Sequence, residues 1–399
     1  MNCKQLIFSL ILSGAALPAN AQLTVTNGVL TKDGEPYQGI GINYFTALIQ
    51  MISIEGRAVD PTGVMCREGM QTLKKYDIPF IRFCAGGFFP ADWKLYLTDK
   101  ETYFERFDLL VELAEKYNIG LIPSLFWYYP TVPDLVGEHI NQWGNPESKT
   151  HEFMRRYTTE VVSRYKDSPA IWMWEFGNEY LAAADLPGEE HGRGMVVTDY
   201  GTPEHRTPED KMFRKNVWVA YQEFAKTVRT MDEVRPVGTG DVMPRFSAHH
   251  NWAEQSWVAD NPEQWKKIFL KDNEAMDTLA VHFYYDSDAS KVETGLRFFS
   301  MEQMIKFLMR CSDYVKKPLF IGEFGPNGYD KTTKVEREQF EFLLDLIKKQ
   351  NVPLSALWNF EFEHGDQVPW NITEQNHRAY MLKALQDANL ELKRRNSGE

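Results

Sequence analysis

Glu179 and Glu323 are the residues on which chemistry can turn. Each lies at the end of a short apolar run, Glu179 in WMWEFGNEY (Trp172–Tyr180) and Glu323 in FIGEFG. Polar and aromatic residues end other such runs: Arg82 in Ile81-Arg82-Phe83, His282 and Tyr284 in VHFYY, Trp358 in ALWNFE, and Asn43 with Tyr44. Asn178 directly precedes Glu179. Two carboxyls can divide the labour of breaking a glycosidic bond. One keeps its proton and gives it to the leaving oxygen; the other, ionised, attacks or activates water. The acid needs a raised pKa, and a nearby cation such as Arg82 favours the charged partner. Plainer readings stand beside these. A glutamate at a strand end can cap the next helix. Arg82 must be paired if buried, because an unpaired buried guanidinium is very costly, and that pair can be purely structural. His282 and Trp358 can be core residues. Glu175 rivals Glu179, but it lies inside its run and belongs to a layered interior.

The two glutamates are 144 positions apart, so only a fold can join them. Eight apolar runs recur: Gln38–Phe45, Pro79–Ala85, Gly120–Trp127, Ala170–Phe176, Pro236–Asp241, Thr278–Tyr285, Pro318–Phe324 and Ser355–Phe360. Most are apolar on consecutive positions, as in parallel strands buried on both faces. Amphipathic segments separate them. Asp60-Pro61 reads as an N-cap with proline at the first helical position. Glu101–Tyr117 places Phe104, Phe107, Leu110 and Leu113 at helical spacing, and capping boxes begin at Ser300 and Thr333. Further helices are expected at 149–166, 208–231, 262–270 and 374–389. Eight strands alternating with helices predict a single α/β domain, a (β/α)8 barrel, whose site lies at the C-terminal strand ends. A doubly wound open sheet is the alternative, but Gly39-Ile40-Gly41 lacks the third glycine of a phosphate turn. Asn27-Gly28 and Asp33-Gly34 predict a short β-hairpin over 22–37 that closes the bottom of the barrel.

Asn-Glu ending the fourth strand, His-x-Tyr on the sixth, Gly-Glu-Phe-Gly on the seventh and tryptophan on the eighth occur together and in this order. This set resembles the clan A retaining glycoside hydrolases, most of all family 5, the cellulase and mannanase family, over essentially the whole mature chain. The resemblance implies a carbohydrate substrate, with no cofactor and no metal. It implies that Glu179 is the acid/base and Glu323 the nucleophile. Asn178 would bind the 2-hydroxyl of the sugar, Tyr284 and Arg82 would hydrogen-bond the nucleophile, and His282 would line the site between the carboxyls. Trp358 would stack under the sugar, and Trp127 and Asn43 complete the substrate-binding set. Two positions depart from the family pattern: Tyr180 stands where many members have proline, and the third strand ends in Leu125-Phe126-Trp127 where many cellulases have histidine. The reading therefore leans from glucan towards a mannan-type β-linked polysaccharide or its oligosaccharides. A non-catalytic carbohydrate-binding protein on the same barrel is the alternative from another class.

The 399 residues carry 44 Lys+Arg against 56 Asp+Glu, a net charge of -12. That balance opposes nucleic-acid binding, which needs a basic face. Residues 1–21 read as a secretory signal: Lys4, an apolar Leu6–Leu12, and Ala19-Asn20-Ala21 before cleavage. Residues 22–399 would form the mature domain, secreted or periplasmic. No stretch of about 18 apolar residues exists to span a membrane. The sequence carries no marker of oligomeric state. Beyond Cys3 in the signal, Cys66, Cys84 and Cys311 fit neither a disulfide framework nor a metal pattern. His249-His250, read as strand neighbours on opposite faces, is a poor metal pair. Long loops at 181–206 and 242–265 are expected to shape the site. Trp252, Trp257 and Trp265, with Trp93, Trp143 and Trp370 from other loops, are candidate sugar platforms or lid packing.

Overall fold

In the computed structural model, which describes residues 23–53, 59–285, 300–328 and 332–397, the eight apolar runs become eight parallel strands. They follow three short strands, β1 (Leu23–Thr26), β2 (Val29–Lys32) and β3 (Glu35–Pro36). The eight are β4 (Gly39–Asn43), β5 (Phe80–Cys84), β6 (Gly120–Phe126), β7 (Trp174–Gly177), β8 (Val237–Gly238), β9 (Leu279–Tyr284), β10 (Leu319–Gly325) and β11 (Leu354–Leu357). Their order is β8-β7-β6-β5-β4-β11-β10-β9. The remaining gap is bridged where the Asp277 N–H donates to the Val237 carbonyl at 2.9 Å. Helices surround this sheet, giving the (β/α)8 barrel. All strand residues of β4, β5, β6 and β10 are buried, which explains why the runs are apolar without alternation. Gly41 serves packing: a Cβ there would meet the Phe80 carbonyl oxygen at 2.4 Å.

The N-terminal segment is a three-stranded antiparallel meander, one strand more than a hairpin. Asn27-Gly28 and Asp33-Gly34 all take positive φ, as two-residue hairpin turns demand. Leu23 and Leu30 join Phe80, Ile122, Trp172, Phe320 and Leu354 in a cluster at the N-terminal ends of the barrel strands. The meander thus stoppers the end opposite the chemistry.

Helices follow the sequence closely in the middle and less so at their starts. Lys100–Tyr117, Lys149–Tyr165 and Pro262–Asp272 match their expected spans, and Ser300 caps Met301–Val315 through a capping box. The helix expected from Asp60 begins only at Val64; the Asp60 carboxylate reaches forward to the N–H groups of Val64 and Cys66 at 2.7 and 2.9 Å. The cap of Thr333–Lys349 is Thr332, one residue earlier than expected. The segment 208–231 splits into a 3-10 turn, Pro208–Asp210, and a helix, Arg214–Arg229. The last helix is Ala379–Ser397, displaced from 374–389. His249 and His250 lie on a short helix, Ala248–Glu254, not on a strand; His250 Nδ1 bonds Asp260 at 2.7 Å. Cys66, Cys84 and Cys311 are free and buried. No described helix is long and apolar enough to cross a membrane. The expected signal at 1–21 lies outside the described residues.

Because the meander seals only the bottom, Leu30→Ala should cost stability without touching the mouth. The expected loss is about 2–4 kcal/mol for a buried leucine, measured by denaturant unfolding, with any catalytic activity of the folded fraction unchanged.

Candidate active site

Arg82 organises the mouth of the barrel. It sits mid-strand on β5 and is wholly buried. Nε donates to Glu175 Oε1 at 2.7 Å, from β7, and Nη1 to Glu323 Oε1 at 2.9 Å, from β10. Nη1 also meets Asn43 Oδ1 at 3.1 Å, and Nη2 meets Asn178 Oδ1 at 2.7 Å. The Trp127 ring lies 4.5 Å from the guanidinium carbon. One planar cation thus fixes side chains from the ends of β4, β7 and β10, a task suited to the forked donors of arginine. Burial opposes its charge, but Glu175 and Glu323 outweigh that and raise its pKa.

Glu323 is held at both oxygens, for the Tyr284 hydroxyl donates to Oε2 at 2.6 Å. Its side chain is almost fully enclosed. Burial pushes its pKa up, and Glu179 adds to that, while His282, Arg82 and Tyr284 pull it back. Glu179 has fewer supports. Its Oε1 lies 2.7 Å from His282 Nδ1, and its side chain is 38% exposed at the base of the mouth. Burial pushes it up to about 6, with Arg82 opposing. Burial drives His282 down to about 3, so the ring is neutral at ordinary pH. One oxygen of each glutamate and one His282 nitrogen all lie within 4.8 Å of one another. Two carboxyls this close, one with two donors and the other with a neutral imidazole, are pushed towards different protonation states. Among the described residues this is the one cluster whose side chains are arrayed as a metal site would be, but the Arg82 cation already occupies Glu323, which opposes a second positive charge there.

The structure gathers Glu179, Glu323, Arg82, Asn178, His282, Tyr284 and Trp358 into one place. Asn178 spends its oxygen on Arg82. Trp358 is 8% exposed, with Nε1 bonded to Gln367 Oε1 at 2.9 Å. Asn43 and Trp127, expected among the substrate contacts, sit behind the site. Asn43 is fully buried, with its amide given to the Gly322 carbonyl at 2.9 Å and its oxygen to Arg82. Trp127 backs Arg82 and packs on Phe45 and Trp358. Glu175 is interior and serves Arg82, as its place within the strand suggested.

Trp93, Trp143 and Trp265 are wholly buried, so they pack the barrel's surroundings and cannot be sugar platforms. Trp252 leans on Trp218 of the helix Arg214–Arg229. Trp370 does approach the site, 6.3 Å from the Tyr284 ring. The loop 181–206 is tied over the end of β6: Arg206 forks onto Asp134 at 2.6 and 2.8 Å, and the Met195 N–H donates to the Tyr128 hydroxyl. Sequence reasoning missed Asp241, whose carboxylate accepts the Leu181 N–H at 2.9 Å beside Glu179. Its signal was available, since it ends the fifth apolar run just as Glu179 and Glu323 end theirs.

An eight-stranded barrel carrying two carboxyls at its C-terminal rim is the architecture of many glycan-processing enzymes. The family model "Cellulase (glycosyl hydrolase family 5)" matches residues 50–363, and the chain belongs to that family. The sequence is 28% identical over 151 residues to a probable mannan endo-1,4-β-mannosidase F of Neosartorya fischeri, covering 30% of this chain and 33% of that one. It is 36% identical over 81 residues to mannan endo-1,4-β-mannosidase A of Podospora anserina, covering 19% and 21%. These alignments span a third or less of those relatives' length. The fold is similar to the endo-1,4-β-mannanase of Rhizomucor miehei, with a TM-score of 0.63 at 16% identity, over 92% of this chain and 99% of that one. It is also similar to the endo-β-1,4-mannanase of Thermotoga petrophila, with a TM-score of 0.57 at 15% identity, over 92% and 78%.

The neutral His282 gives a direct check. Its ring resonances in NMR spectra should show no titration between pH 5 and 8, and a midpoint near the ordinary 6.5 would contradict the enclosed geometry.

Proposed function

We propose that the protein is a retaining β-glycosidase acting on β-linked polysaccharides or their oligosaccharides. The observation that carries this is that one carboxyl oxygen of Glu179 and one of Glu323 lie within 4.8 Å of each other. Retaining enzymes keep their carboxyls about 5–5.5 Å apart, whereas inverting ones leave about 6.5–9.5 Å for a water. Glu323, with Arg82 and Tyr284 on its two oxygens, is the nucleophile. Glu179, with its pKa pushed up to about 6 and a face open to the mouth, is the acid/base.

In the first step Glu323 attacks the anomeric carbon while Glu179 protonates the departing oxygen. The bond to the leaving sugar breaks and a glycosyl ester forms on Glu323. In the second step Glu179, now ionised, takes a proton from water, which attacks the same carbon and frees Glu323. His282 stays neutral beside Glu179 and hydrogen-bonds it without adding charge. The Asn178 amide nitrogen faces the 2-hydroxyl, and Trp358 lies under the ring. Mannan is the favoured substrate class, supported by the mannanases to which the chain is similar. The signal read at residues 1–21 supports a secreted or periplasmic place of action.

Three outcomes are expected. Proton NMR of a fresh digest should show the β-anomer first; an α-anomer first would indicate inversion. Glu179→Ala should lose roughly 10²–10⁴-fold in kcat/KM on a glycoside with a poor leaving group, yet far less on an activated aryl glycoside. In the wild type, activity on the poor leaving group should fall as pH rises through about 6, because the protonated Glu179 is the active form. That alkaline limb should vanish in Glu179→Ala assayed on the activated substrate. Product analysis across β-linked mannans and glucans reads the substrate directly, and sugar binding without hydrolysis across that panel would favour the non-catalytic alternative.

A further inference from the structure

Glu179 stands in a position that works against its own task. It occupies the cap of the 3-10 turn Tyr180–Ala182, with φ 55° and ψ 31°. A polar side chain at a cap can fold back onto the N–H two or three residues ahead. For Glu179 the first of these is the Leu181 N–H. A carboxylate so engaged would turn away from the barrel mouth, and the hydrogen bond would favour its charged form. Both effects would spoil a proton donor. Yet Glu179 makes no such bond, and its oxygen meets His282 instead.

The Leu181 N–H is taken by another residue. Asp241, just beyond β8, accepts it on Oδ1 at 2.9 Å. Asp241 is 2% exposed and is itself tightly held. The Tyr221 hydroxyl donates to Oδ2, the Val242 N–H to Oδ1 at 3.2 Å, and the Asp241 N–H reaches Thr239 Oγ1 at 3.2 Å. Its neighbour Gly240 accepts the Glu179 N–H at 3.1 Å. A Cβ on Gly240 would fall 2.0 Å from the Gly177 carbonyl oxygen, so glycine is what lets this segment lie so close to the end of β7. On the far side of the turn Arg245 donates to the carbonyls of Ala182 and Ala184.

We infer that Asp241 is a positioning residue for the acid/base: it occupies the N–H that the Glu179 carboxyl would cap, and so leaves that carboxyl free to face His282 and the leaving oxygen. The inference rests on the proposed role of Glu179. What the position requires is an acceptor for the Leu181 N–H, and charge is secondary. Burial pushes the Asp241 carboxyl up to about 7, with the Tyr221 hydroxyl and the Leu181 N–H opposing. A neutral amide of the same shape should therefore serve.

The test compares kcat/KM of the wild type, Asp241→Ala, Asp241→Asn and Tyr221→Phe on two sets of aryl β-glycosides, each set made on both manno- and glucooligosaccharides. One set carries 2,4-dinitrophenol, which leaves without a proton; the other carries phenol, which needs one. Asp241→Ala should lose at least roughly tenfold more on the phenyl than on the dinitrophenyl glycoside, a fraction of the 10²–10⁴ that general acid help is worth. Asp241→Asn should stay within about threefold of the wild type on both, since the amide oxygen still accepts the N–H. Tyr221→Phe, the mildest change, should shift the ratio in the same direction by less, and it reads the effect if Asp241→Ala does not fold. Equal losses on the two sets in these variants, or an Asp241→Asn as impaired as Asp241→Ala, overturn the assignment while leaving the glycosidase reading intact. A wild type that cleaves none of these glycosides overturns that reading, and this inference with it.

Discussion

The structure depends on a single buried positive charge. Arg82 has no access to water, so its guanidinium must be compensated inside the barrel. Two carboxylates supply this, Glu175 from β7 and Glu323 from β10, and the oxygens of Asn43, Asn178 and the Gly177 carbonyl accept from its other donors. With Glu175 and Glu323 both ionised, the cluster already carries one excess negative charge. A third carboxylate at Glu179, beside a neutral His282, would add another. Charge compensation around Arg82 thus favours a proton on Glu179 over one on Glu323, the division of roles proposed above.

Hydrogen bonding around the rim carries the same logic outward. Tyr284 fixes the second oxygen of Glu323, Trp127 backs the guanidinium, and Asp241 takes the N–H that competes for Glu179. Each restrains a group to which the proposed mechanism gives a role. Preorganised dipoles and charges of this kind need no rearrangement at the moment of reaction. The opposite end of the barrel is closed by the meander and plays no part in this, so stability and chemistry are divided between its two ends.

Much of this was legible in the sequence. The eight strands show as unbroken apolar runs because both faces of each are covered, and the polar residues ending those runs name Glu179, His282, Tyr284 and Glu323. Other features were not legible. Asn43 and Trp127 have the residue types of sugar contacts, but a residue type does not say on which side of Arg82 it lies. Trp93, Trp143 and Trp265 are equally apt as platforms or as packing, and only burial decides. Asp60 and Thr332 cap their helices at offsets that local pattern does not encode. Asp241 shows as the polar end of its run, but its contact, through a neighbour's backbone, joins two strands and lies in no single run.

The central claim is that Glu323 is the bare carboxylate and Glu179 the protonated one. A 2-deoxy-2-fluoro β-glycoside with an activated leaving group tests it most directly, because the fluorine slows release of the ester formed on the attacking residue. Peptide mapping by mass spectrometry should find the added sugar on Glu323. A label on Glu179 or Glu175, or turnover of the parent glycoside with no covalent adduct trapped on the protein, would contradict the account.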